Sequence, residues 1–351
     1  MTAYDFGPGH PLQPERLART VRLLRALGLA EPLDPGAGRP SDVLRVHDAA
    51  YVDAVELLSS GFFTPSGFRD QAGFGSRDNP PFAGMWEAAL AYVAGTVAAA
   101  RDVAAGADRA YNLSGGLHHA LRTKASGFCV FNDPAIAVHI LLERFPRVAY
   151  VDVDVHHGDG VQWIWYDDPR VLTCSIHEDG RTLFPGCGAI EETGAQFTSL
   201  NVPLEAKTSG DVWLWAFEQT VLPALERFRP DAIVLQMGSD PHYLDRLGHL
   251  RVTAQAWLGS IRRIHSLGLP VVAVGGGGYN LSTVPRMWAA ATLVLEGLEP
   301  PVELPPDLAA EWDVPTFFDV ADLPEPGAGK AAAEAVVARV RSDVLPNVPT
   351  G

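Results

Sequence analysis

Val148-Ala-Tyr-Val-Asp152-Val-Asp154-Val-His156-His157-Gly158-Asp159-Gly160 is the stretch on which the fold turns. Its first half is an apolar, β-branched run of the kind found in strands buried on both faces. The pattern predicts a strand over Val148 to Val155 that runs into a glycine turn. Alternate strand residues share a side, so Asp152, Asp154 and His156 are expected to project together. Three polar groups on one face of a core strand are costly unless a cation or hydrogen bonds compensate them. Turn formation accounts for a single Asp, His or Gly after a strand, but poorly for Asp-x-Asp-x-His-His.

A second apolar run, Ala232 to Gln236, leads into Met237-Gly238-Ser239-Asp240. Asp154, His156 and Asp240 offer two carboxylates and one imidazole and leave a position for water, the plan of a catalytic rather than a structural zinc site. The same oxygen and nitrogen set suits Fe2+, so the donors leave both Zn2+ and Fe2+ open. Asp240 by itself reads as a turn residue or helix cap. Upstream, the run Ala110 to Leu113 precedes Gly115-Gly116-Leu117-His118-His119-Ala120. A base that activates water needs a pKa near neutrality, which histidine has. The second ring nitrogen is commonly fixed by a carboxylate, and Asp152 and Asp159 are free for that. The competing reading of the His-His pair is a satisfied structural pair. Downstream stands Val271-Val-Ala-Val-Gly275-Gly276-Gly277-Gly278-Tyr279-Asn280. A dinucleotide fingerprint needs glycine where Asn280 stands and belongs near the first strand of its unit, so that reading is rejected. The glycines instead let the backbone approach a ligand and aim Tyr279, whose hydroxyl can stabilise an oxyanion.

The runs Val171 to Ile176 and Pro270 to Val274 add further strands, and helices are expected over Val212 to Phe228 and Val252 to Leu267. Apolar strands alternating with helices predict an α/β fold: a single-domain, three-layer α/β/α arrangement with a mostly parallel central sheet. Such sheets bind ligands beyond the carboxyl ends of their strands. Helices are also expected over Pro14 to Leu29, Glu87 to Ala104 and Lys330 to Val344. Thr64 to Pro81 reads as a long, functional loop. One domain is expected over residues 1–351, with a core of about 4–299 and a Pro-rich, acidic extension of about 304–351. Hydrophobic residues make up 47% of the chain and charged residues 20%, an ordinary globular composition. A formal charge of −15 disfavours nucleic acid and anionic membranes as partners and suits cationic ones. The three cysteines Cys129, Cys174 and Cys187 form no Cys-x-x-Cys pair, which argues against a disulfide framework. With no secretory pattern near Met1 to Pro11 and no window long enough to span a bilayer, a cytoplasmic location is expected. No motif specifies an oligomeric state.

In their order along the chain, Gly127-Phe-Cys-Val-Phe-Asn-Asp133, the two-His motif, Asp152 to Gly160, Phe184-Pro-Gly186 and the glycine-tyrosine turn resemble the zinc-dependent deacetylase family that includes the histone deacetylases. The resemblance runs from Tyr4 to Glu299. It is strongest to bacterial acetoin-utilisation deacetylases, through Arg77-Asp78-Asn79-Pro80, Gln162-Trp-Ile-Trp-Tyr-Asp-Asp-Pro169 and Asp240-Pro-His-Tyr243. It implies an arginase/deacetylase-like fold, with Asp154, His156 and Asp240 as zinc ligands. His118 would pair with Asp152 as electrostatic partner, and His119 with Asp159 as general base and then acid. Tyr279 would polarise the scissile carbonyl. Gly127, Phe128 and Phe184 would line an acyl-lysine tunnel, with Leu247 and Asp78 at its rim and Arg16 at a product-release cavity. A structural K+ is implied at Asp152, Asp154, His156, Ser175 and Ile176, and an outer one near Trp165, Asp168, Val171 and Thr198.

The implied activity is removal of acetyl groups from acetyl-lysine, with an acetylated protein or peptide as partner. An acetylpolyamine amidohydrolase shares the metal and tyrosine and differs at the tunnel mouth. An arginase-like two-manganese enzyme would have Asp where Gly158 stands, and a non-catalytic acyl-lysine binder would usually have lost a ligand or the tyrosine. Without the resemblance, Phe128 and Phe184 read as core, Arg16 as a solvated helix residue and Asp78 as a turn former. His242 reads either as a substrate-selecting residue or as a helix cap.

Overall fold

In the computed structural model, which describes residues 3–29, 31–61 and 66–351, six strands form one sheet. They are β1 (Arg109–Asn112), β2 (Val148–Asp152), β3 (Val171–Glu178), β4 (Ser199–Leu204), β5 (Ala232–Gln236) and β6 (Val271–Val274). Their order is β1-β6-β5-β2-β3-β4, and every neighbouring pair is parallel. Successive β2 residues face opposite layers. Ala149 and Val151 pack with Trp213, Trp257 and Trp288, whereas Val148 and Tyr150 pack with Val97 and Phe131. Both faces are therefore dry, which explains the unbroken apolar runs, each fully buried Val contributing about 1.5–3 kcal/mol relative to exposure. Helices Glu15–Ala26, Gly210–Phe228, Ala254–Ser266 and Val284–Leu295 cover one face; Ala49–Ser59, Met85–Ala104 and Asp133–Leu142 cover the other.

The strand order places the site. From β2 the chain moves outward to β3 and β4, then returns to the other side of β2 for β5 and continues to β6. The direction of travel reverses between β2 and β5, so their carboxyl ends flank a topological switch point, where open α/β sheets hold ligands.

Three expectations need correcting. β2 stops at Asp152 rather than Val155. β4 was not expected, because Ser199-Leu-Asn-Val-Pro-Leu204 carries a proline and polar residues, which an edge strand tolerates. The edge is not left open: helix Lys330–Arg339 packs over it. The loop expected over Thr64 to Pro81 contains a short helix, Ser66–Gln71, whose half-buried Phe68 packs on the core; Thr64 and Pro65 lie outside the described residues. Leu304, Trp312, Phe317, Val337 and Val344 of the C-terminal extension are buried in the same core as the strands. Among the described residues, no helix is long and apolar enough to cross a membrane.

Candidate active site

Beyond Asp152 the chain leaves the sheet, yet the alternation survives through side-chain hydrogen bonds. Asp152 Oδ1 accepts from the Asp154 amide and Asp154 Oδ1 from the His156 amide, both at 3.0 Å. Two successive Asx turns, not a strand, thus aim Asp154 and His156. Asp240 Oδ1 accepts from the Val155 amide at 2.8 Å, which ties the end of β5 to that of β2. Asp154, His156 and Asp240 are all buried, with ligand atoms within 4.8 Å of one another, and could hold a metal ion. His156 Nδ1 lies 3.0 Å from Asp154 Oδ1 and 3.2 Å from Asp240 Oδ2. The second contact lacks hydrogen-bond geometry, so Asp240 Oδ2 is buried without a hydrogen-bond partner. Burial and the neighbouring Asp154 push the Asp240 carboxyl up to about 7. An orphaned oxygen beside a second carboxylate and an imidazole is the environment a cation relieves, so the residues present fit a divalent ion.

The tandem histidines are pinned from both ends. Asn132 Nδ2 donates to the His118 and Ala120 carbonyls at 3.0 and 2.9 Å, and the Asp133 carboxylate accepts from the Gly116 and Leu117 amides at 2.9 Å. His118 Nδ1 donates to Asp152 at 2.7 Å and His119 Nδ1 to Asp159 at 2.6 Å, as expected. Both Nδ1 atoms being committed, the Nε2 atoms, 3.1 Å apart, are left to exchange protons. Burial opposes charge on both rings. Asp152, Asp154 and Asp159 nevertheless raise His118 to about 9, whereas burial and the charged His118 lower His119 to about 4. The shared proton therefore rests on His118, and His119 keeps a free electron pair.

The glycine turn after β6 closes the site from above the triad. Asp154 Oδ2 accepts from the Gly277 amide and from Gln236 Nε2, each at 2.8 Å. A side chain at Gly277 would collide with the Asp240 carboxylate, and one at Gly238 with Asp154. Tyr279 follows, its amide donating to Asp245 at 2.7 Å. Burial and the carboxylates Asp240 and Asp154 hold its phenol well above the ordinary value, so it stays a proton donor. Arg16 is not a solvated helix residue: it is 4% exposed and donates to the Gly276 and Gly278 carbonyls behind the turn at 2.6 and 3.2 Å.

A narrow cleft with room for about 20 Å³ opens onto these groups, lined by Leu12, His118, His119, Gly127, Phe128 and Tyr279 among others. Phe128 adopts φ +68°, a left-handed conformation that a bulky side chain enters only under constraint. Here its amide donates to Asn79 at 3.2 Å and its carbonyl accepts from the Tyr4 hydroxyl at 2.7 Å. Phe184, 42% exposed, packs edge-on to His119 at 4.9 Å, so the two phenylalanines flank the cleft rather than fill the core. Asp78 is exposed; its carbonyl accepts from His10, whose ring meets Phe128 at 4.6 Å. Leu247 is half-buried and bound through its amide to Asp245, the carboxylate that also accepts from the Tyr279 amide.

Ser175 sits opposite Asp152 in the β2–β3 register, with Ile176 next to it. In the outer group, Asp168 is occupied by Arg170 at 2.7 Å, the Trp165 carbonyl accepts from the Asp168 amide, the Val171 amide donates to the Asp168 carbonyl, and the Thr198 carbonyl accepts from Thr173. His242 neither faces the cleft nor caps a helix. Its Nδ1 accepts from the Leu244 amide, so Nε2 carries the proton and donates to Asp319 at 3.0 Å. Sequence reasoning passed over Gln236, Asp245 and the Asn132-Asp133 end of the phenylalanine-rich block. Gln236 had a visible signal: it is the polar last residue of an apolar strand and stands opposite Asp152.

The histone deacetylase domain model matches residues 10–295. The acetoin utilization protein AcuC of Bacillus subtilis is 41% identical over 88% of this chain and 83% of its own length. Histone deacetylase B of Dictyostelium discoideum is 36% identical over 91% of this chain and 77% of its own. Among solved structures, an HDAC homolog from Aquifex aeolicus superposes with a TM-score of 0.89 at 26% identity, covering 97% of this chain and 98% of that one. An HDAC homolog complexed with SAHA gives the same TM-score of 0.89 and 26% identity, over 97% of this chain and 96% of that one. With the buried Asp154–His156–Asp240 group at the switch point of such a sheet, the chain belongs to the histone deacetylase family and is a metal-dependent amidohydrolase of acetylated substrates.

Proposed function

We propose that this enzyme removes acetyl groups from acetyl-lysine in proteins or peptides. The observation carrying the reading is the convergence, at the bottom of one aromatic-walled cleft, of a metal-ligand group, two histidine–aspartate pairs and a protonated tyrosine. Asp154, His156 and Asp240 would hold the ion, Zn2+ in preference to Fe2+. When bound there, the ion supplies Lewis acidity toward the acetyl carbonyl and water. His119, its ring fixed by Asp159, takes the proton of the attacking water at Nε2 and returns it to the departing amine. His118, charged and held by Asp152, steadies the negative charge that builds beside it. Tyr279 donates its hydroxyl to the developing oxyanion, an interaction worth about 3–4 kcal/mol in comparable sites. Gly127, Phe128 and Phe184 strip water from the alkyl chain, Leu247 borders the mouth, and the exposed carboxylate of Asp78 accepts from the substrate backbone. Arg16, behind the glycine turn, receives the acetate.

We assign a structural K+ to Asp152, Asp154, His156, Ser175 and Ile176, supported by their adjacency across β2 and β3, and a second to the carbonyls around Trp165, Asp168, Val171 and Thr198. The whole of residues 1–351 is taken as one catalytic unit because the extension shares the strands' core. The three unpaired cysteines fit a cytoplasmic site of action. The test is a panel of acyl-lysine peptides and acetylated polyamines, assayed on metal-reconstituted enzyme. The reading requires the highest kcat/KM on acetyl-lysine peptides; a preference for acetyl-spermidine would assign the enzyme to polyamines instead.

A further inference from the structure

A second group of metal-binding side chains lies next to the first in sequence and shares none of its residues. His157, directly after His156, turns to Cys187 and Gln162, with Nδ1 3.3 Å from Cys187 Sγ and Nε2 3.1 Å from Gln162 Oε1. The amide of Gln162 has a fixed sense. Its Nε2 donates to Glu192 Oε2 at 2.9 Å, and its Oε1 also accepts from Asn201 at 2.8 Å. His157 must therefore carry its proton on Nε2, and Nδ1 presents an electron pair toward the Cys187 sulfur. Glu192 Oε1 is steadied by the Gly188 and Ala189 amides at 3.0 and 3.3 Å. His157 Nδ1, Cys187 Sγ and a Glu192 oxygen all lie within 4.8 Å of one another. His157 is 2% exposed, whereas Cys187 and Glu192 are half-buried. The group is thus preassembled on its inner side and reachable from its outer side.

We propose that His157, Cys187 and Glu192 form a second metal site that takes a thiophilic divalent cation of the zinc and cadmium class. One thiolate, one imidazole and one carboxylate make a set that zinc-like ions accept in tetrahedral sites, with the fourth position left to water. The hydrogen bond from His157 Nε2 to Gln162 is the kind of outer contact that orients a ligating ring. Burial, Asp159 and Glu192 push the free Cys187 thiol up to about 12, so each ion that binds releases the Cys187 proton to solvent. The ion would join the turn after β2 to the Phe184–Gly188 loop, and Phe184 of that loop packs on His119. Its occupancy therefore fastens one wall of the cleft to the segment that carries His156.

The experiment adds Cd2+ to protein already holding one equivalent of divalent ion at the Asp154 centre. That centre has no sulfur, so a thiolate-to-metal absorption band in the ultraviolet reports the second site alone, whatever the first site catalyses. The expected result is about one further equivalent bound, with the band, a raised Tm and a released proton. Cys187→Ser should abolish the band and the further equivalent while leaving the first equivalent and turnover in place. Gln162→Leu should weaken Cd2+ binding by about 10–100-fold. Binding without a thiolate band, or a band that persists in Cys187→Ser, overturns the proposal. Alkylating the half-buried Cys187 of wild-type protein repeats the test without a substitution.

Discussion

Two buried histidine–aspartate clusters, which approach each other in sequence at Asp240 and His242, have opposite characters. In the Asp154–His156–Asp240 group, Asp240 keeps an oxygen without a hydrogen bond, and its carboxyl is pushed up to about 7. In the His242–Asp319–Arg286 group every charge is met. Asp319 accepts from His242 at 3.0 Å, Arg286 at 2.5 Å and the Ala254 amide at 2.7 Å, and Arg286 also donates to the Phe317 carbonyl at 2.8 Å. Burial alone would raise Asp319, but these partners hold it well below the usual carboxylate range. The residue types are nearly the same. What separates a reactive centre from a structural one is unmet demand: in the first cluster two buried carboxylates crowd one imidazole and Asp240 keeps an unpartnered oxygen, whereas the second has a permanent cation of its own in Arg286.

The contrast can be broken most sharply at Asp240. Asp240→Asn should remove bound metal, measured by elemental analysis, and reduce deacetylation to background while the protein stays folded. Retained metal and turnover would erase the distinction. In the other cluster, Arg286→Leu leaves Asp319 buried and unpaired and should cost about 3–5 kcal/mol in denaturant unfolding, with metal still bound by the folded fraction. Tyr279→Phe sharpens the picture by separating chemistry from metal retention. It should lower kcat by about 10²–10³-fold with metal content and KM unchanged, read by steady-state kinetics. The smallest effect is acid sensitivity. Because the folded-state pKa of Asp319 lies below its ordinary value of 3.8, its contribution to stability is complete above that pH and fades as pH falls toward the folded value. The unfolding free-energy gap between wild type and Asp319→Asn should therefore be flat near neutrality and narrow below pH 3.8. A gap that widens in acid would reverse the assigned sign.

The sequence made the sheet and its ligand-bearing ends legible because parallel strands buried on both faces write themselves as apolar runs, and the polar residues that follow them stand out. Asp154, His156, Asp240, His118, His119 and Tyr279 were all found this way, and all lie at the carboxyl edge. What failed was local. Val153 and Val155 look like strand residues, but the carboxylates of Asp152 and Asp154 capture backbone amides and end the ladder early. Ser199 to Leu204 drew no expectation because edge strands relax the composition rule. Without the resemblance Arg16 reads as a solvated helix residue, because one helix position cannot reveal a contact with carbonyls some 260 positions away. His242 was undecidable for a similar reason: its partner Asp319 lies in an extension that carries no motif.

That last contact has a bearing on synthesis. A nascent chain that has emerged through Glu299 holds Asp154, His156, Asp240, the tandem histidines and Tyr279, but not the carboxylate that pairs with Arg286 and accepts from His242. Until Asp319 is in place, a permanent cation sits uncompensated beside the loop bearing Asp240, so a chain made only as far as Glu299 still lacks a charge on which its fold depends.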